Sequence, residues 1–406
     1  MPRKNNKSLS VRRGLWALRF GWFFHNFLLI VPVIVLVYTQ RGITVGDFFL
    51  IQGLFRLAAF LFEIPSGYLS DRFSRRCVMI MGALFTSLGF AIVAMAYGFW
   101  PIVLGEAMLG VASALYSGTL EAYTYDLLKR NKSQGDFIKQ FGEVMTFGSV
   151  ASFIAVILGG IMYAYIGGDK LLWLEFLVSV GSIVAFVFLP ELFEVKRTVK
   201  NKNAVADAIG ITYKTLKNPK LRNLILFPAM FGGFTIVMLW IMQPIMEFAQ
   251  VPVQLFGVYF GINNFAAIVF SKYAYKICEK LGEIRVSIIT IVTIVLGCVM
   301  GLVAVHTAYM PLVYMACAVM AIVPAIRILN NLQYNALIHH SIKSQERGTV
   351  ISTRAMVATV CGAMMLIGGK FLMDGWGITV TLIGVLAMTG VLWWALKKVA
   401  CFIRMK

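Results

Sequence analysis

Charge is what this 406-residue sequence has least of. Only 14% of its residues are Asp, Glu, Lys or Arg, against about 25% in soluble chains. Too few polar side chains remain to cover the surface of a soluble protein this long. A soluble enzyme, a soluble binding domain and a disordered scaffold are therefore excluded as wholes. Cysteine is also sparse. Cys77, Cys278, Cys298, Cys317, Cys361 and Cys401 are scattered, with no CxxC pair and no Cys/His cluster, and the chain has four histidines. Nothing carries a metal or redox signature, and no cofactor is expected. P-loop, HExxH, GxSxG and kinase-type motifs are missing too, so neither ATP-driven transport nor membrane-embedded catalysis is indicated.

What is abundant is apolar: 59% of residues, with a mean hydropathy of +0.81. That composition implies a polytopic membrane protein. A spanning helix takes about 20 apolar residues. The hydrophobic runs place twelve spans, at 15–38, 46–70, 77–97, 100–126, 138–166 and 171–190, then 222–248, 252–277, 286–306, 309–339, 347–373 and 377–399. The first run is too long for a signal-peptide core and has no small-residue cleavage site after it, so an uncleaved first span is expected. Basic residues outnumber acidic ones, 37 to 18. In this assignment Arg41, Lys170 and Lys370 fall on one side, Arg19, Arg56 and Arg327 lie inside spans, and the rest of the Lys and Arg gather on the opposite side. Cytoplasmic loops carry that excess, so the charge reads as topology rather than nucleic-acid binding, and both termini are expected to be cytoplasmic. The polar stretch 191–221 is the one long hydrophilic segment mid-chain. It separates residues 1–190 from 222–406 as a basic linker, with room for a short surface helix over 205–217.

The two halves show a faint repeat. Gly142 opens the fifth span and Gly348 the eleventh, 206 residues later. Asp71 and Ser74 follow the second span, while Glu279 and Gly282 follow the eighth at an offset of 208. Internal repeats of this kind mark transporters. The loop after the second span reads Gly67-Tyr-Leu-Ser-Asp71-Arg72-Phe-Ser74-Arg75-Arg76. It resembles the Gly-x-Leu-Ala-Asp-Arg-x-Gly-Arg-Arg signature of the major facilitator superfamily (MFS), with Ser70 and Ser74 in place of alanine and glycine.

The resemblance implies an all-α membrane protein of 12 transmembrane helices in two pseudo-symmetric six-helix bundles. It also implies a conformational latch formed by Gly67, Asp71, Arg72, Arg75, Arg76 and Asp126. Asp71 would meet the helix N-terminus near Gly348, where negative charge is favoured. Arg75 would pair with Asp126 at the cytoplasmic end of span four. The competing reading takes the arginines as topology anchors alone, which leaves Asp71 unexplained. The stretches Phe62–Gly67 and Ser117–Asp126 resemble bacterial efflux-like members of the superfamily. Two departures stand out. Glu106 occupies the place where drug/proton antiporters carry an arginine, and the span-five motif is reduced to Gly159-Gly160.

Ionisable and amide groups within spans are costly and mark substrate or proton pathways by default. Span one offers Arg19, Trp22 and Asn26 on one face, with His25 beside them. Span two offers Arg56 and Glu63. In span four, Glu106, Gly110, Ser113, Ser117, Glu121 and Thr124 recur at three- or four-residue steps, as if on one polar stripe. Gln243 lies in span seven, Asn263 and Asn264 in span eight, and Arg327, Asn330 and Asn331 in span ten. These groups either line a central cavity or pair with one another to fix helix packing. A pair between Glu121 and Arg327 across the two halves is one expectation. Glu63, Glu106, Glu121 and His25 are the acid–base groups available for proton coupling. The reading that follows is a secondary transporter of a small organic solute in a bacterial inner membrane, acting as a monomer. Proton-coupled export of an amphiphile is the leading version and uptake of a polar nutrient or iron chelate the alternative. A channel or a non-transporting scaffold is less consistent with the two-half repeat and the polar stripes.

Overall fold

The computed structural model describes residues 2–192, 204–342 and 347–404; the linker residues 193–203 lie outside it. All regular structure among the described residues is helical. The elements are α1 (Pro2–Asn26), α2 (Ile34–Gln40), α3 (Val45–Arg72), α4 (Arg75–Met95), α5 (Phe99–Tyr116), α6 (Thr119–Arg130), α7 (Phe137–Val187), α8 (Ala204–Lys217), α9 (Pro219–Phe248), α10 (Gln254–Thr307), α11 (Met310–Ser341) and α12 (Arg347–Arg404). Ten stretches among the described residues are long and apolar enough to cross a membrane.

The chain divides into two compact units, Met1–Gly42 with Leu54–Thr198, and Ile43–Gly53 with Val199–Lys406. In the first, α1 packs on α7, and α4 packs on α5 and α7. Their buried faces meet in a core that includes Leu18, Met79, Ala112, Tyr123, Leu127 and Phe186. In the second, α9 packs on α11 and α12, and α10 lies along α11. Helix α8 is tied to α12 by a 2.9 Å bond between Thr212 and Thr353.

Two expected spans are broken where their hydropathy gives no hint. Span one stops at Asn26 and resumes at Ile34. Glu175 of α7, only 1% exposed, accepts the backbone N–H of Ile30 at 3.0 Å inside that gap. Gly159 makes room for the gap: a Cβ there would stand 1.9 Å from the Leu29 carbonyl oxygen. The first glycine of the remaining Gly159-Gly160 pair thus has a packing role. Span four breaks at Ser117–Gly118, where Gly118 takes φ +68°. The break separates Glu121 and Thr124 from the rest of the expected stripe, and exposure already varies within α5 before it. Glu106, Gly110 and Thr124 are buried, whereas Ser113, Ser117 and Glu121 are exposed. Helical periodicity does not carry across a residue that leaves the helix.

Candidate functional site

The motif loop is built by two helix ends. Ser74 caps α4, its hydroxyl accepting the Cys77 N–H at 3.3 Å, as serine does at helix starts. The cap points Arg75 at α6, where its guanidinium pairs with Asp126 and donates to the Ala122 carbonyl at 3.1 Å. Arg76 donates to the Val187 carbonyl at 2.7 Å and lies 3.8 Å from the Glu191 carboxylate. A cation at the end of α7 suits the negative pole of that helix. Arg72 is exposed beside the Tyr68 hydroxyl, 3.4 Å away, and Gly67 is exposed on α3. The side chain of Asp71 lies outside the described residues, as does the surface around Gly348.

Inside the first unit, the polar groups form separate small clusters. Glu106 is buried and accepts from the Tyr38 hydroxyl at 2.6 Å. Glu63 accepts from Ser117 at 2.9 Å, at the break between α5 and α6. Trp22, His25 and Tyr116 form an aromatic group, with the His25 ring 4.3 Å from Tyr116 and 5.0 Å from Trp22. His25 Nδ1 is shut off from solvent with no hydrogen-bond partner among the described residues. Asn26 donates to the Trp22 carbonyl at 2.8 Å. Arg56 is half-buried on α3 and Glu121 is exposed on α6.

In the second unit, Asn330 is fully buried. It donates to Thr290 at 2.7 Å and accepts from Ser287 at 3.2 Å, bonding α11 to α10. Asn331 accepts from Arg354 of α12 at 2.6 Å. Gln243 is buried in α9, and Asn263 and Asn264 are half-buried in α10. Arg327 is half-buried; its Nε has no partner among the described residues. Glu121 and Arg327 belong to different units.

Several groups escaped the sequence reading. Glu175 is one, and its lone position in an apolar run was the available signal. Arg41 is another: read as an outer-side charge, it is 6% exposed and donates to the Ala94 and Ala96 carbonyls at 3.1 and 3.0 Å and to Val93, while pairing with Asp169 at 2.6 Å. Lys370 pairs with Asp47 and, at 2.9 Å, with Asp374. Arg19, by contrast, is placed within span one by the sequence, and it bonds Glu143 and, at 2.8 Å, Gln140.

The Major Facilitator Superfamily model matches residues 15–366. The chain belongs to the major facilitator superfamily. It is 26% identical over 259 residues to an uncharacterized transporter of Buchnera aphidicola from Acyrthosiphon pisum, covering 59% of this chain and 62% of that protein. It is 24% identical over 181 residues to the inner membrane transport protein YajR of Escherichia coli, covering 44% and 38%. The match thus spans less than two thirds of these relatives' lengths. Among solved structures, the fold resembles the nucleoside transporter NupG (TM-score 0.78, 14% identity, 97% of this chain and 99% of that one). It also resembles the POT family transporter PepTSo (TM-score 0.70, 12% identity, 100% and 98%).

Proposed function

We propose that this superfamily protein is a secondary active transporter that moves a small organic solute by alternating access of two six-helix halves, residues 1–190 and 222–406. Twelve crossings fit the helices. The stretches Gln134–Val187 and Val350–Cys401 have 54 and 52 residues, more than twice the roughly 20 needed to cross once. Each contains a glycine in a non-helical conformation, Gly167 and Gly377. The basic loops support cytoplasmic termini and a bacterial inner-membrane location.

The observation that carries the reading is the pair of broken helices with carboxylates at the breaks, Glu175 facing Ile30 and Glu63 facing Ser117. Irregular backbone at membrane depth is tolerated where it is buried in protein or lines a watery cavity, and transporters place their sites at such breaks. The pathway groups are Trp22, His25, Asn26, Arg56, Glu63, Glu106, Glu121, Gln243, Asn263, Asn264, Arg327, Asn330 and Asn331. The latch groups are Gly67, Asp71, Arg72, Arg75, Arg76 and Asp126. Proton-coupled export of an amphiphile by a monomer is the leading version. Uptake of a polar solute is favoured by Glu106, an acid where drug antiporters carry an arginine.

Reconstitution into vesicles with an imposed pH gradient tests this. Compound-dependent proton flux is the expected result, and its direction separates export from uptake. Compound movement without proton flux removes the coupling, and no movement across a broad panel removes the transport reading.

A further inference from the structure

At the end of the first unit where the motif arginines gather, Arg75, Glu121, Tyr125, Asp126, Lys129 and Phe137 line a cavity of about 400 Å³. That lies within the size range of small-ligand sites, roughly 300–1,000 Å³. Helix α6 supplies Glu121, Tyr125 and Lys129 at steps of four, so they share one face. Arg75 and Asp126 pair with each other and leave no net charge between them. Glu121 and Lys129 are both exposed, and among the described residues neither side chain makes an ion pair or hydrogen bond. Their Cα atoms are separated by eight residues of helix, about 12 Å of rise, too far for an i,i+4-type pair.

Between the two charges stands an aromatic wall. Tyr125 meets Phe137 edge to face at 5.6 Å, and Phe141 stacks on Phe137 at 5.6 Å and holds it in place. Helix-dipole complementarity accounts for an acid in the first turn of α6 and a base in the last. It does not account for the rings or the space between them. A purely cationic ligand would approach Lys129 unfavourably, and a purely anionic one would approach Glu121 unfavourably. A linear zwitterion satisfies both.

We propose that this cavity binds a linear zwitterion whose charged ends stand about 10 Å apart, the length of three extended residues. Its ammonium sits on Glu121, its carboxylate on Lys129 and its apolar middle on Tyr125 and Phe137. That spacing is longer than a phospholipid headgroup provides. Identifying the bound molecule as cargo rests on the transporter reading; the binding itself does not.

The test is titration calorimetry on the purified full-length protein with alanyl-phenylalanyl-alanine, its N-acetyl form and its C-terminal amide. The free peptide is expected to bind about tenfold more tightly than either blocked form, the effect of one charge-assisted contact. Glu121→Gln is expected to abolish its advantage over the acetylated form, and Lys129→Gln its advantage over the amide. Glu121→Asp, which keeps the charge, should retain the preference and shows that the pocket still folds. Equal binding of all three peptides, preferences unchanged in Glu121→Gln and Lys129→Gln, or no binding of the free peptide overturns the proposal. Peptide binding without compound-driven flux in vesicles upholds the cavity and removes the transport reading; flux without peptide binding does the reverse.

Discussion

Glu175 shows what one carboxylate does inside an apolar helix. It is almost fully buried, and the Ile30 N–H it accepts is a backbone donor left without a helical partner in the gap before α2. In hydrocarbon or protein interior that donor has no water to fall back on. Replacing Glu175 by leucine leaves the donor unpaired at a cost of about 1–3 kcal/mol. Replacing it by glutamine keeps an acceptor oxygen in the same place. Thermal unfolding in detergent should therefore rank wild type and Glu175→Gln close together, with Glu175→Leu clearly below both. A leucine variant as stable as wild type would mean that the gap in the first span is held by packing at Gly159 alone. The neighbouring cases show why such roles are uneven in the sequence. The motif fixes Arg75, and the family resemblance calls for an acid at the end of span four, where Asp126 pairs with it. Asn330 looked the same as any other amide in a span, and only the structure shows its donor and acceptor taken by Thr290 and Ser287.

At the scale of elements, one backbone conformation recurs. Gly98 precedes α5 with φ 82°, ψ 172°; Gly167 (φ 76°, ψ 171°), Gly282 (φ 72°, ψ 169°) and Gly377 (φ 75°, ψ −167°) interrupt α7, α10 and α12. This region of backbone space belongs almost entirely to glycine. These turns were legible because a glycine sits at a dip in hydropathy between two apolar runs. The breaks at 27–33 and 117–118 were not, because the composition around them stays apolar and the cause is a partner from another helix. A Gly167→Ala variant should lose about 1–3 kcal/mol of stability from backbone strain alone, since nothing stands within 4 Å of a Cβ there. Gly390, inside α12 and equally open, provides the control: alanine should be neutral or stabilising by up to about 1 kcal/mol. Equal effects at the two positions in denaturation experiments would show that the turn glycine is not conformationally required.

At the scale of the whole molecule, α3 is shared. Its start, within Ile43–Gly53, groups with the second unit, while its remainder groups with the first. The start is buried at Phe48, Phe49 and Ile51, and several of its contacts are of identifiable kind. Thr44 accepts the Asp47 N–H at 2.9 Å and donates to Asp374 at 3.0 Å. Phe48 sits edge-on to Trp240 at 5.2 Å. Lys370 lies between Asp47 and Asp374, one base serving two acids. Deleting the base does more than lose two attractions, because it leaves two carboxylates facing each other. Lys370→Met should therefore destabilise more than Asp47→Asn, and adding Asp47→Asn to Lys370→Met should restore part of the loss. The groups are partly exposed, so the coupling in a double-mutant cycle should be modest, about 1 kcal/mol, and should shrink as salt is added. Those four proteins, unfolded at two ionic strengths, decide what fastens the helix common to both units. A salt-sensitive coupling assigns the work to charge. Strict additivity assigns it to packing, in which Phe48 on Trp240 takes part, and replacing Phe48 by alanine should then loosen the segment where neutralising the acids does not.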